Sequence, residues 1–167
     1  MKQAPAKRQG PANEPDVVET VSLQDAVTHT LDEARMLLPG MQALFGFQLI
    51  AVFSPRFDVV LSPMRQCVHL AALLLTGLSI ALAMAPAAYH RQAEQGQVSS
   101  HLLGVVSGFI SAALLPLGLA FCVDLFLVAE VITGHVGWSA GVTAFFGAVL
   151  AGLWFAYPRL RRTPRGG

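Results

Sequence analysis

Apolar residues are distributed along this chain in two different ways. Between Leu23 and Leu38 they fall at steps of three and four (Leu23, Ala26, Val27, Leu31, Ala34, Leu37, Leu38), which places a single apolar stripe on an α-helix. Farther on they form long runs with almost no charge, over residues 39–54, 66–88, 100–124 and 136–157. Runs of this length and polarity predict helices solvated by lipid. The third run can also be followed through Asp124 and Glu130 to residue 133, with Pro116 as an expected kink. The pattern therefore predicts an all-α polytopic membrane protein: four transmembrane helices over 39–158, preceded by an amphipathic helix over 22–38. It is flanked by a polar tail over 1–21 and a basic tail over 159–167.

The first crossing is the weakest of the four. Ser22 with Asp25 resembles a capping box that starts the amphipathic helix, and Pro39-Gly40 is expected to end it and open a new one. A crossing limited to Pro39–Phe53 reaches only about 22 Å, short of a hydrocarbon core of roughly 30 Å. Either the preceding turn also enters the membrane or the segment is re-entrant. The polar face of the 22–38 helix carries Asp25, His29, Asp32 and Glu33. A helix that binds anionic lipid is basic there, so this one is expected to dock on its own protein or on a partner.

Composition supports lipid as the solvent. Hydrophobic residues make up 54% of the chain and charged residues 13%, about half the usual charged fraction of roughly 25%. Between Gln66 and Arg159 the charged side chains are Arg91, Glu94, Asp124 and Glu130. The net charge of +1 gives no basic surface for nucleic acid. The first twenty residues lack an apolar run, so a conventional cleavable signal peptide is not expected there; a disordered cytoplasmic tail is.

The basic residues orient the chain. With four crossings, Lys2, Lys7, Arg8, Arg35, Arg91, Arg159, Arg161, Arg162 and Arg165 share one side, and Arg56 and Arg65 the other. This nine-to-two division predicts cytoplasmic N- and C-termini. A re-entrant first segment would give six against five and no bias. Arg35, Arg65, Arg91, Arg159, Arg161 and Arg162 are expected to anchor at the interfaces. Trp138, and Trp154 with Tyr157, would mark two aromatic belts about 24–28 Å apart along the last helix.

Four stretches carry a family resemblance: Ala34 to Gln42 (ARMLLPGMQ), Phe45 to Leu49 (FGFQL), Ser54 to Phe57 (SPRF) and Ala85 to Arg91 (APAAYHR). Together they resemble a family of small bacterial membrane proteins catalogued as a domain of unknown function, over roughly residues 22–162. The resemblance implies a topology and a bacterial inner-membrane setting. It brings no catalytic residues.

Candidate chemistry is sparse. Asp124 and Glu130 are carboxylates in or near hydrocarbon, where they commonly mark an ion or proton path. Measured from Ser100, however, Asp124 already lies about 36 Å along its helix, near the outer interface. The two residues are about 120° apart around the helix and form no ready-made pair. His69 is expected at similar depth, within reach of Asp124, either as a satisfied structural histidine or as a proton relay. Gln42 and Gln48 are candidates for interhelical hydrogen bonds or a pore lining. Cys67 and Cys122 also fall at similar depth, where a disulfide is conceivable. Cys67 and His69 point about 200° apart, so no metal site is expected from them. Gly104 with Gly108, Gly137 with Gly141, and Ala148 with Gly152 are small residues four apart, the spacing of closely packed helices in lipid.

No nucleotide, haem, iron–sulfur or nucleophile-elbow motif is present, so neither a cofactor nor an enzyme activity is expected. The expected function is an accessory or structural membrane protein, homo-oligomeric or joined to a membrane-protein partner through residues 22–38. The alternative is a subunit of an ion, proton or small-solute channel or transporter that uses Gln42, Gln48, His69, Asp124 and Glu130.

Overall fold

The computed structural model describes residues 23–93 and 100–160. The polar tail, Arg161, Arg162 and the rest of the basic tail lie outside the described residues, as does the side chain of Arg91. The described chain is helical apart from short connections at 53–56, 61–62 and 134–135. Its elements are α1 (Leu23–Val52), α2 (Phe57–Val60), α3 (Pro63–Ala93), α4 (Ser100–Thr133) and α5 (Val136–Ala151), then a π-helical turn (Gly152–Ala156) and α6 (Tyr157–Leu160). Four stretches are long and apolar enough to cross a membrane: Thr28–Val52, Pro63–Tyr89, Gly104–Thr133 and Val136–Leu160.

Three boundaries differ from the sequence expectation. The chain does not break at Pro39; the amphipathic segment and the first crossing are one helix with Pro39 inside it. Proline removes one backbone donor, but a break in an apolar surrounding would strand several polar groups, so the helix continues. The apolar stretch of α1 then has 25 residues, which at 1.5 Å each reaches about 37 Å, enough to cross. Helix α3 starts at Pro63 rather than Gln66, with proline in the first turn where it suits a helix. This places Arg65 inside the helix. The last helix does not stop at Pro158. It passes through the π-helical turn, and Pro158 lies within α6.

The four long helices run alternately up and down. Gln48 meets His69 and Met41 meets Ser79, so α1 and α3 are antiparallel. Arg65 meets Glu130 and Ser79 meets Ala113, so α3 and α4 are also antiparallel. Gly147 lies against Cys122 and Gly118 against Trp154, which sets α5 antiparallel to α4. The start of α1 and the end of α5 therefore share one end of the bundle.

The core is the seam between α3 and α4. On α3 the buried positions are His69, Ala72, Thr76, Ser79, Ala83 and Pro86, at alternating steps of four and three. This is the spacing that keeps one narrow face against a neighbouring helix. On α4 the facing positions are Val106, Ile110, Ala113, Ala120 and Leu127. Small side chains on this seam let the backbones approach, and Ser79 donates a hydrogen bond to the Ala113 carbonyl at 2.6 Å. Met41 on α1 packs against Ala83 and Ala113.

The small residues singled out from sequence do not make these contacts. A Cβ added at Gly104, Gly108, Gly137, Gly141 or Gly152 would meet nothing within 4 Å, and Ala148 is exposed. Gly108 is two residues from both Val106 and Ile110, and so about 200° around the helix from the seam. The close approaches are at Gly118, where a Cβ would stand 3.4 Å from the Trp154 ring, and at Gly147, 3.4 Å from the Cys122 sulfur. Trp154 is thus turned toward α4, while Trp138 and Tyr157 are exposed.

Candidate functional site

Three helices bring one polar side chain each to a single point. Gln48 falls on the inward stripe of α1, seven residues after the buried Met41. His69 falls on the α3 seam, and Asp124 extends the α4 seam four residues beyond Ala120. Gln48 Nε2 donates to Asp124 Oδ2 at 2.6 Å. His69 Nδ1 stands 3.5 Å from Asp124 Oδ1. His69 Nε2 stands 3.0 Å from the backbone carbonyl oxygen of Gln48. Gln48 and His69 are buried and Asp124 is largely covered. The Phe57 ring closes over His69 in an edge contact, with centroids 5.4 Å apart.

These contacts fix the histidine protons. A backbone carbonyl only accepts, so Nε2 carries a hydrogen and donates to it. The other nitrogen, Nδ1, faces the carboxyl at 3.5 Å, placed so that the two groups can share one proton. Written as imidazolium with carboxylate or as imidazole with carboxylic acid, the pair holds the same proton and has no net charge. The remaining amide atom, Gln48 Oε1, is buried without a hydrogen-bond partner among the described residues. An orphaned acceptor costs about 1–3 kcal/mol, which a donor reaching it would recover.

A second polar layer lies one helical turn farther out. Arg65, four residues before His69, pairs with Glu130 through both guanidinium branches: Nε donates to Oε2 at 2.7 Å, and Nη2 to Oε1. Glu130 is buried, whereas the Arg65 side chain is 40% exposed. Leu127, 4% exposed, separates the two layers on α4. Arg65, expected as an interface anchor, and Glu130, expected as an ion- or proton-path candidate, are each other's partner. The sequence signal for this pair is the α3–α4 register, which reaches Arg65 only because α3 begins at Pro63.

A cavity of about 510 Å³ opens beside the inner layer, in the usual size range of small-molecule sites. Gln48, His69 and Asp124 line it, together with an apolar wall that includes Phe47, Phe57, Leu127 and Val131. Arg56, exposed on the connection between α1 and α2, also borders it. Asp124 lies nine residues before the end of α4, about 13 Å along the axis, so the space reaches from the connecting turn well into the bundle.

The other candidates lie elsewhere. Gln42 is exposed, six residues from Gln48 and about 120° around α1 from it. Cys67 is exposed, Cys122 packs under α5, and both are free thiols. Arg35 makes an exposed ion pair with Asp32 at 3.1 Å. Arg159 is exposed in α6. Among the described residues no group of three or more His, Cys, Asp or Glu side chains converges as a metal site.

Neither a curated protein nor a solved structure matches the chain significantly. A family model does, over residues 20–158, which takes in all four long helices, both polar layers and the cavity. The chain belongs to this family, DUF6328, a family of unknown function.

Proposed function

We propose that this chain is a bacterial inner-membrane protein with both ends in the cytoplasm, and that it binds a small amphiphilic solute as the solute-binding part of a transport unit. The convergence of Gln48, His69 and Asp124 on an apolar cavity carries this reading. A helix bundle needs no buried carboxylate to hold its shape. At the centre of a membrane helix an acidic residue costs about 2.5–3.5 kcal/mol, and such residues there are commonly functional. The orientation rests on the nine-to-two distribution of basic residues and on the start of α1 and the end of α5 sharing one end of the bundle. A reporter fused after Gly167 is expected to be active in the cytoplasm.

Binding is tested on the full chain in lipid nanodiscs, by thermal unfolding with a panel of small amphiphiles of differing head charge. At least one class is expected to raise the unfolding temperature of the parent protein and not that of Ala51→Trp. Ala51 lines the cavity and makes none of the hydrogen bonds of the polar layer, so the larger ring fills the space without removing a polar partner. A panel that shifts neither protein, or both equally, refutes the reading.

A second reading, an accessory protein that self-associates, is favoured by α5. Trp138, Phe145 and Phe146 are exposed on it, and Gly137, Gly141 and Ala148 face away from α4. Gly137→Leu with Gly141→Leu is then expected to lower the oligomeric mass measured in nanodiscs or mild detergent. An unchanged mass removes this reading.

A further inference from the structure

Resting on the binding reading above, the chemistry of the inner layer narrows the solute. The His69–Asp124 pair is neutral while it holds its shared proton. If that proton leaves, the site carries one negative charge in a covered position, which is unfavourable unless a positive charge replaces it. A group suited to replace it must be cationic. It must also offer hydrogen-bond donors, since the Asp124 carboxylate on the cavity wall is an acceptor, as is the buried, unpartnered Gln48 Oε1. The rest of the molecule must be apolar to suit Phe47, Phe57, Leu127 and Val131. Arg56 at the border disfavours a second positive charge.

We propose that the cavity takes an amphiphilic organic monocation, with its ammonium group on Asp124 and Gln48 and its apolar body along the wall, in exchange for the proton held between His69 and Asp124. In the exchange the N–H or O–H bond of the shared proton breaks and the proton passes to solvent. The ammonium hydrogens then donate to the Asp124 carboxylate, and to Gln48 Oε1 as that buried amide turns toward the cavity. His69 stays neutral, with Nε2–H still on the Gln48 carbonyl. No carbon bond changes and nothing is oxidised or reduced. The site is neutral before and after, so neither state leaves an uncompensated charge among the helices.

The other ionisable groups around the pair are few. Glu130 and Arg65 compensate each other one turn away. Arg56 and the exposed Asp58 lie toward the α1–α3 connection. Cys67 on α3 is exposed, and Cys122 on α4 faces α5. Helix α5 carries no ionisable side chain between Val136 and Ala151.

Three probes with one apolar body separate the head charges: 4-butylbenzylamine, 4-butylbenzyl alcohol and 4-butylbenzoate. They are titrated into the full chain in nanodiscs by calorimetry near neutral pH, in two buffers that differ in heat of ionisation. The amine is expected to bind about tenfold more tightly than the alcohol, or better, as a charge-assisted hydrogen bond implies. It is also expected to release about one proton per molecule bound, by the linkage of proton and ligand at one carboxylate. Asp124→Asn is expected to remove both the preference and the proton release, while alcohol binding persists as proof of an intact cavity. Alcohol or benzoate binding as tightly as the amine overturns the monocation but leaves cavity binding standing. Amine binding without proton release overturns the exchange. Binding of none of the three overturns this proposal and the binding reading together.

Discussion

The Arg65–Glu130 pair joins two partners of unequal burial, and this inequality makes its loss asymmetric. Glu130 is 8% exposed, in the last turn of α4, and its two carboxylate oxygens are bonded to Arg65. Arg65 is in the first turn of α3, its side chain is 40% exposed, and its long stem lets the guanidinium reach the interface. Arg65→Met therefore strands a carboxylate, whereas Glu130→Gln strands a cation that can relax outward. Breaking a fully buried pair costs about 3–5 kcal/mol; with one partner this open, about 2–3 kcal/mol is expected for Arg65→Met. For Glu130→Gln, about 1 kcal/mol or less is expected, in the range of exposed pairs. Arg65 also stands beside the end of α4, where a positive charge favours the helix dipole, a small addition to the first figure.

The assay is reversible unfolding in mixed micelles, followed by helical circular dichroism, for both single variants and the double. The double variant is expected to be more stable than Arg65→Met alone, because the neutral glutamine is no longer an uncompensated charge. Two results refute the reasoning: equal losses from the two single variants, or a double variant whose loss equals their sum. The first would mean that Glu130 is as well solvated as Arg65. The second would mean that the two side chains do not interact.

Other substitutions probe the helix contacts. Ser79→Ala removes the hydrogen bond to the Ala113 carbonyl and is expected to cost about 0.6–1.7 kcal/mol in the same unfolding assay, the range measured for polar contacts between membrane helices. Gly118→Val places branched carbons where a single Cβ already stands 3.4 Å from the Trp154 ring; displacement of the indole is expected as a shift in tryptophan emission. Gly134 has φ +67° in the α4–α5 turn, so Gly134→Ala is expected to cost about 1 kcal/mol although no atom opposes its methyl group.

The crossings were legible because a long uncharged run has few stable environments other than lipid, and the residues between runs are turn formers or charged. Their ends were less legible. Pro39 and Pro158 read as breaks by the rule that holds in water, where a broken helix recovers its hydrogen bonds from solvent. In an apolar surrounding that recovery is lost, so α1 runs through Pro39 and the last helix continues past Pro158; α3 begins at Pro63 because proline suits a first turn. The packing residues were sought as glycines four apart, a spacing that common small residues often meet by composition alone. The observed seam lies instead on the alternating four-and-three series Ala72, Thr76, Ser79 and Ala83.

The same register decides which polar residues meet. His69 continues the α3 seam three residues before Ala72, and Arg65 continues it one step farther. Asp124 continues the α4 seam beyond Ala120, and Glu130 lies three residues after Leu127. Gln48 shares the stripe of Met41, whereas Gln42 does not, which is why one glutamine is buried in the site and the other exposed. The polar residues are thus continuations of packing faces, placed where small side chains have already brought the backbones together. A carboxylate so placed is held by the whole seam, and a cation that neutralised Asp124 would act on α1, α3 and α4 at once. Occupancy of the cavity is therefore expected to change the angle at which α1 lies on the α3–α4 pair, and to leave the α4–α5 contact at Gly118 and Trp154 unchanged.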